Sequence, residues 1–219
     1  MKKLILISAL WLLCLCTAMP FGAKAQRTME YSLSFANSDF QMQQVHNYDT
    51  TATTYVVKSS KYQLYSSKYD PTQPELPAIY VTLLLPKDAS YAGFSYEKSN
   101  SFFSNYLLTV GSKPVVIGSQ NDSSTPSWYP YGTYDSSIEF AGKTTVSGYR
   151  MVTFKVMPVR YIYSHSNNFS FLSSFELTID LNDADEIPLR TSTRGERERS
   201  YVEERIWNKE ALKEYERHP

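Results

Sequence analysis

The chain has 219 residues, 22 basic against 22 acidic, with 42 % hydrophobic and 15 % aromatic side chains. That balance leaves no electrostatic grip on nucleic acid or on an anionic lipid surface. The length is enough to bury a sizeable core without covalent staples.

The N-terminus reads as a secretory signal. Lys2 and Lys3 form a positive start, Leu4 to Thr17 is apolar but short for a membrane span, and Ala23-Lys24-Ala25 is an A-x-A cleavage site. Cleavage is expected between Ala25 and Gln26, so residues 1–25 are the signal. Cys14 and Cys16 lack the preceding small residue that a lipobox needs. Both cysteines lie within the signal, and the mature chain therefore holds no disulfide, no thiolate ligand and no thiol nucleophile. Losing Lys2, Lys3 and Lys24 leaves it slightly acidic. The expected location is exported, periplasmic or extracellular, with no membrane attachment after signal removal.

The mature chain alternates with period two. Tyr31, Leu33 and Phe35 share one face, as do Ile79, Val81, Leu83 and Leu85, then Val152, Phe154 and Val156, then Phe175, Leu177, Ile179 and Leu181. Thr153 and Lys155, and likewise Glu176, Thr178 and Asp180, fall on the opposite faces. Strict alternation marks antiparallel strands with one face on a core and one in water. Shorter strands are predicted over 53–58, 61–66, 91–97, 105–110, 114–117 and 136–140, separated by turn signals such as Pro86-Lys87-Asp88. Residues 150–161 and 171–181 are predicted to form a hairpin. The 18 tyrosines, all in the mature part, also favour strands. The fold class is all-β, an antiparallel β-sandwich or open barrel with a short C-terminal helical tail.

Residues 120–132, QNDSSTPSWYPYG, interrupt this pattern with two prolines, three aromatics and no aliphatic residue. Trp128, Tyr129, Tyr131 and Tyr134 suit either a cover for the end of the core or a platform that stacks on sugar rings.

Composition changes again near Pro188. Half of residues 190–219 are charged, so 26–189 is read as the β-domain and 190–219 as a charged linker and helical tail. Residues 190–199 read as solvated linker. The helix is placed from Ser200, which forms a capping-box pattern with Glu203. Val202, Ile206, Leu212 and Tyr215, with Trp207 and Ala211, make an apolar stripe, and Asn208 is an alternative cap for a second short helix. So short a helix needs its stripe docked, on the sandwich or on a further part.

No motif carries catalysis. The three histidines, His46, His165 and His218, stand in no metal-binding spacing, and no nucleophile elbow or glycine-rich phosphate loop exists. Glu176 and Asp180 read as solvated strand charges. The expectation is a non-enzyme with no cofactor and no metal site.

Three stretches together resemble the gingipain-type propeptides, the N-terminal prodomains of caspase-like bacterial cysteine peptidases. They are PELP (74–77) leading to LLLPKDASY (83–91), then PSWYPYGTYDSSIEFAG (126–142), then GYRMVTFKVMPVRY (148–161) with SSFELTIDL (173–181). Their order and spacing span about the whole mature body. Gln73 stands where the family usually has glycine. The resemblance implies an all-β prodomain of a secreted zymogen, mostly from Bacteroidetes-type bacteria. Such a domain assists folding of its peptidase and inhibits it until cleaved away. It implies a partner, a caspase-like cysteine peptidase domain in cis or in trans. It places an inhibitory contact loop at Asp122, Ser123, Ser124, Thr125, Pro126, Trp128 and Tyr129. The family's basic pocket residue has no counterpart there. It also makes Arg190, Arg194, Arg197 and Arg199 candidate processing positions. The other class of function expected from the residues is a secreted binding module for glycan or host protein, using the aromatic loop.

Overall fold

The computed structural model describes residues 27–45, 54–66, 74, 76–103, 108, 132–163, 168–185, 187–189 and 193–215. Among the described residues eleven strands follow one another: β1 Arg27–Ser34, β2 Gln41–Val45, β3 Thr54–Lys58, β4 Tyr65–Ser66, β5 Pro77–Leu84, β6 Ala89–Phe103, β7 Gly132–Tyr134, β8 Ser137–Val146, β9 Tyr149–Met157, β10 Val159–Tyr163 and β11 Asn168–Asp183. A helix, α1, spans Thr193–Arg205, and a 3-10 turn spans Lys209–Tyr215.

The strands form two packed sheets and a separate hairpin. In the five-stranded sheet β11 is the spine. It pairs with β6 along one edge, and with β1 and β10 end to end along the other, with β7 outside β10. The second sheet has the order β4-β5-β9-β8, and β2 pairs with β3 in a sheet of two. All named strand pairings are antiparallel. Of the two expected architectures, this is the sandwich.

The alternating positions meet as read. Tyr31 lies opposite Leu177 and Leu33 opposite Phe175, and Val81 lies opposite Phe154. Phe175, Leu177 and Ile179 from one sheet and Val81, Leu83, Val152, Phe154 and Val156 from the other share one buried cluster. Fully burying side chains of this size is worth about 1.5–3 kcal/mol each, and no cysteine stands among the described residues to add to it. Glu176 points outward, directly opposite Glu97.

The expected hairpin of 150–161 with 171–181 is corrected. Only Val159–Ile162 pairs with β11, while β9 lies in the other sheet. Pro158 is the reason. It has no N–H for a ladder, so the chain leaves one sheet there and enters the other, and its carbonyl accepts from the Leu172 N–H at 2.6 Å. The expected strand 61–66 shortens to Tyr65–Ser66 for a similar local reason. The Ser59 hydroxyl accepts from the N–H groups of Lys61 (3.2 Å) and Tyr62 (3.0 Å) and donates to the Asp39 carbonyl (2.6 Å). That competes with a ladder. The strands expected at 105–110 and 114–117 fall outside the described residues except for Leu108, which is buried and bridges to Tyr55 in parallel.

The tail is also corrected. Residues expected as linker are helical from Thr193, and Ser200 lies inside α1, its hydroxyl donating to the Glu196 carbonyl at 3.1 Å. No capping box forms at Ser200. The dense Arg and Glu content that reads as a solvated linker equally suits the wet side of a helix. The apolar stripe docks on the outer face of the second sheet. Val202, Ile206, Leu212 and Tyr215 pack with Leu84, Tyr149 and Met151 in a second buried cluster.

Candidate functional site

The expected contact loop, Asp122 to Tyr129, lies outside the described residues, as do Ala25, Gln26 and Arg190, and so do His46, His165 and His218. What the structure describes is the base from which residues 104–131 leave and return. Phe103 ends β6 opposite Phe169, and Gly132 opens β7 opposite Tyr163. Both ends therefore emerge at the same end of the five-stranded sheet. They are separated by β11 and β10, three strand spacings or about 14 Å.

Two features hold this base. Leu108, 0 % exposed, is anchored in the core beside β3. On the return side, Asp135 lies 3.3 Å from the Lys98 ammonium and 3.5 Å from the Arg160 guanidinium. Lys98 also donates to the Ser136 carbonyl and, at 3.3 Å, to its hydroxyl. One carboxylate thus ties β6 to β10 where β7 ends. Asp135 is more than half exposed, so each pair adds little stability and mainly fixes geometry. Tyr134, Tyr161 and Tyr163 stack in a row along this edge, with centroid spacings of 6.5 and 6.2 Å.

Among the described residues no group of three or more His, Cys, Asp or Glu side chains stands close enough to hold a metal ion. No helix among them is long and apolar enough to cross a membrane. The carboxylates that gather, Glu30, Glu97 and Glu176, line an open groove of ≈ 330 Å³ on the outer face of the five-stranded sheet. The sheet register puts them there as exposed charges.

Of the candidate processing positions, Arg194, Arg197 and Arg199 lie in α1, with Arg197 exposed and Arg199 half-buried. The helix is tied to the sheet near its middle and just beyond its C-terminal end. The Ser147 hydroxyl, in the turn between β8 and β9, donates to the Glu198 carboxylate. Beyond the helix, Ile206 bridges Thr82 in parallel, and the Trp207 N–H donates to the Thr82 carbonyl at 2.9 Å. The Tyr215 hydroxyl donates to the Leu85 carbonyl at 2.7 Å, and burial pushes its pKa up to about 12. Sequence reasoning misses these ties because they join residues far apart in the chain. Asn208 is legible only as a cap; its amide is used instead on Leu84.

A chain in a solved complex of the pro- and mature domains of RgpB from Porphyromonas gingivalis matches this architecture. The TM-score is 0.55 at 14 % identity, covering 87 % of this chain and 96 % of that chain. The fold is gingipain-propeptide-like. A structure reported for the zymogenic latency of gingipain K from the same organism matches with a TM-score of 0.48 at 17 % identity, over 75 % of this chain and 97 % of that one. No protein-family model matches the sequence, and no curated protein matches it. Within the gingipain-propeptide-like fold, the described parts of the stretches that carry the sequence resemblance lie in the paired strands and the turns between them. Pro77 opens β5, Pro86 makes the turn into β6, Pro158 makes the sheet crossing, and residues 173–181 lie in the spine strand β11.

Proposed function

We propose that this chain is a non-catalytic, exported propeptide-type module that binds, chaperones or inhibits a gingipain-like cysteine peptidase, in cis or in trans. The observation that carries this reading is the fold shared over nearly the whole of both chains with a partner in a complex of pro- and mature domains. The firm base under residues 104–131 supports the assignment of Asp122–Tyr129 as the contact.

The loop's composition narrows the partner. An inhibitory loop occupies a substrate cleft, and its charge must suit the pocket it enters. Residues 122–129 contain no Lys or Arg. A deep acidic pocket would receive no countercharge from them, and leaving a charge buried and unpaired costs about 3–5 kcal/mol. The cognate peptidase is therefore one whose specificity is for neither Arg nor Lys, or the loop does not enter its pocket.

Immobilised mature protein, exposed to secreted proteins of its native host, tests both parts. Mass spectrometry is expected to find a caspase-like cysteine peptidase retained. A combined Trp128→Ala, Tyr129→Ala and 123–127 loop swap is expected to release it. Failure to retain any such peptidase overturns the function, and nanomolar inhibition of an Arg- or Lys-specific peptidase overturns the pocket assignment.

A further inference from the structure

The helix that carries Arg197 and Arg199 is weak by itself. Its first turn includes Gly195, a poor helix former, and Val202 is its one fully buried apolar residue. A 13-residue helix of this kind is marginal in water. Its order comes from contacts with the rest of the chain: the Ser147–Glu198 hydrogen bond near its middle, and the Ile206–Tyr215 segment seated on β5 just beyond its end. Asn208, only 5 % exposed, holds both backbone groups of Leu84.

Proteases bind their substrates as extended chain, so a helical bond is cut only from an opened state. We propose that the docked tail is a latch that governs proteolysis: the bonds after Arg197 and Arg199 are protected while Ser147 holds Glu198 and residues 206–215 sit on the sheet, and become cleavable when either hold is lost. The reaction gated is ordinary peptide hydrolysis by an Arg-directed serine or cysteine protease. Water adds across the Arg197–Glu198 or Arg199–Ser200 amide, leaving a carboxylate on the arginine and an amine on the next residue. The latch goes beyond the peptidase-binding reading and holds whether or not the body inhibits anything, because it lies on the outer face of the second sheet, in contacts within this chain alone.

Cleavage under these conditions follows the population of the opened tail when closing is fast. Losing one or two hydrogen bonds of this kind raises that population by about tenfold. The test is limited trypsin digestion of the full mature protein, with fragments ending at Arg197, Arg199 and Lys143 quantified over time. Lys143, exposed in β8, reports opening of the sandwich itself. Asn208→Ala and Ser147→Gly are compared with the parent; glycine tolerates the positive φ of 48° at position 147 and removes the CH2OH group that makes the hydrogen bond. The expected result is cleavage after Arg197 and Arg199 about tenfold faster in each variant, with cleavage after Lys143 unchanged. Equal rates after Arg197 and Arg199 in the parent and in Ser147→Gly overturn the proposal. If Asn208→Ala also accelerates cleavage after Lys143, the variant has opened the sandwich and the Ser147→Gly comparison decides.

Discussion

The side-chain amide of Asn208 pairs with both backbone groups of Leu84. Its Oδ1 accepts from the Leu84 N–H at 2.8 Å, and its Nδ2 donates to the Leu84 carbonyl at 2.9 Å. A side chain thereby completes the edge of β5 beyond the short stretch that β4 covers. An open edge is a site for unwanted pairing, and here the chain's own tail occupies it. Replacing Asn208 by alanine leaves both Leu84 groups buried without these partners. The expected loss is about 2–3 kcal/mol of unfolding free energy, read from urea denaturation. A value under about 0.5 kcal/mol would show that the tail contributes nothing through this contact.

Tyr215 sets an alkaline limit on the same seat. Its hydroxyl donates to Leu85 and it stacks on Tyr149 at 5.0 Å, and burial raises both phenols. A folded pKa of about 12 against an unfolded value of about 10 means the stabilisation is complete below pH ~10 and is lost as pH rises from there towards about 12. Hydrogen exchange of residues 206–215 is expected to accelerate over that window beyond the intrinsic base-catalysed rate. Tyr215→Phe is expected to reduce that pH dependence while lowering stability near neutrality by about 1 kcal/mol.

Asp39 sits at the corner between β1 and β2, and its charge is used there. The carboxylate is held below the usual carboxylate range, first by the Ala36 N–H at 2.9 Å and then by Lys61 at 3.1 Å and the Tyr62 hydroxyl at 3.4 Å. A depressed folded pKa gives stability that is present above about pH 3.9 and lost as pH falls below it. The thermal midpoint is expected to fall on acidification through that range. Asp39→Asn is expected to lower stability at pH 7 and to flatten the acid slope; an unchanged slope would remove Asp39 from the account.

Gly148 is the second residue of the β8–β9 turn, at φ 96°, after Ser147 at φ 48°. A Cβ at this position would lie 2.8 Å from both the Ile187 carbonyl oxygen and Leu189 Cδ2. Gly148→Ala therefore meets an unfavourable backbone and a blocked space together, and is expected to destabilise by about 1–3 kcal/mol. Gly132→Ala, where nothing lies within 4 Å and φ is ordinary, is the matched comparison and is expected to cost under about 1 kcal/mol by thermal melting.

The alternating runs are enough to place β1, β5, β9 and β11 and to name their inward residues, because side-chain period follows directly from strand geometry. The apolar stripe of the tail is equally legible, since Val202, Ile206, Leu212 and Tyr215 are all buried. The sequence also supplies the composition of the proposed contact loop, whose lack of Lys and Arg narrows the proposed partner. Which strands share a sheet is decided by tertiary structure: periodicity is local, while the crossing at Pro158 depends on partners on either side of it. The start of the tail helix and the use of Asn208 are decided there too. Asn208 and Leu84 stand 124 positions apart, and a polar side chain's partner across such a distance is set by how the sheets pack, not by its neighbours in the chain.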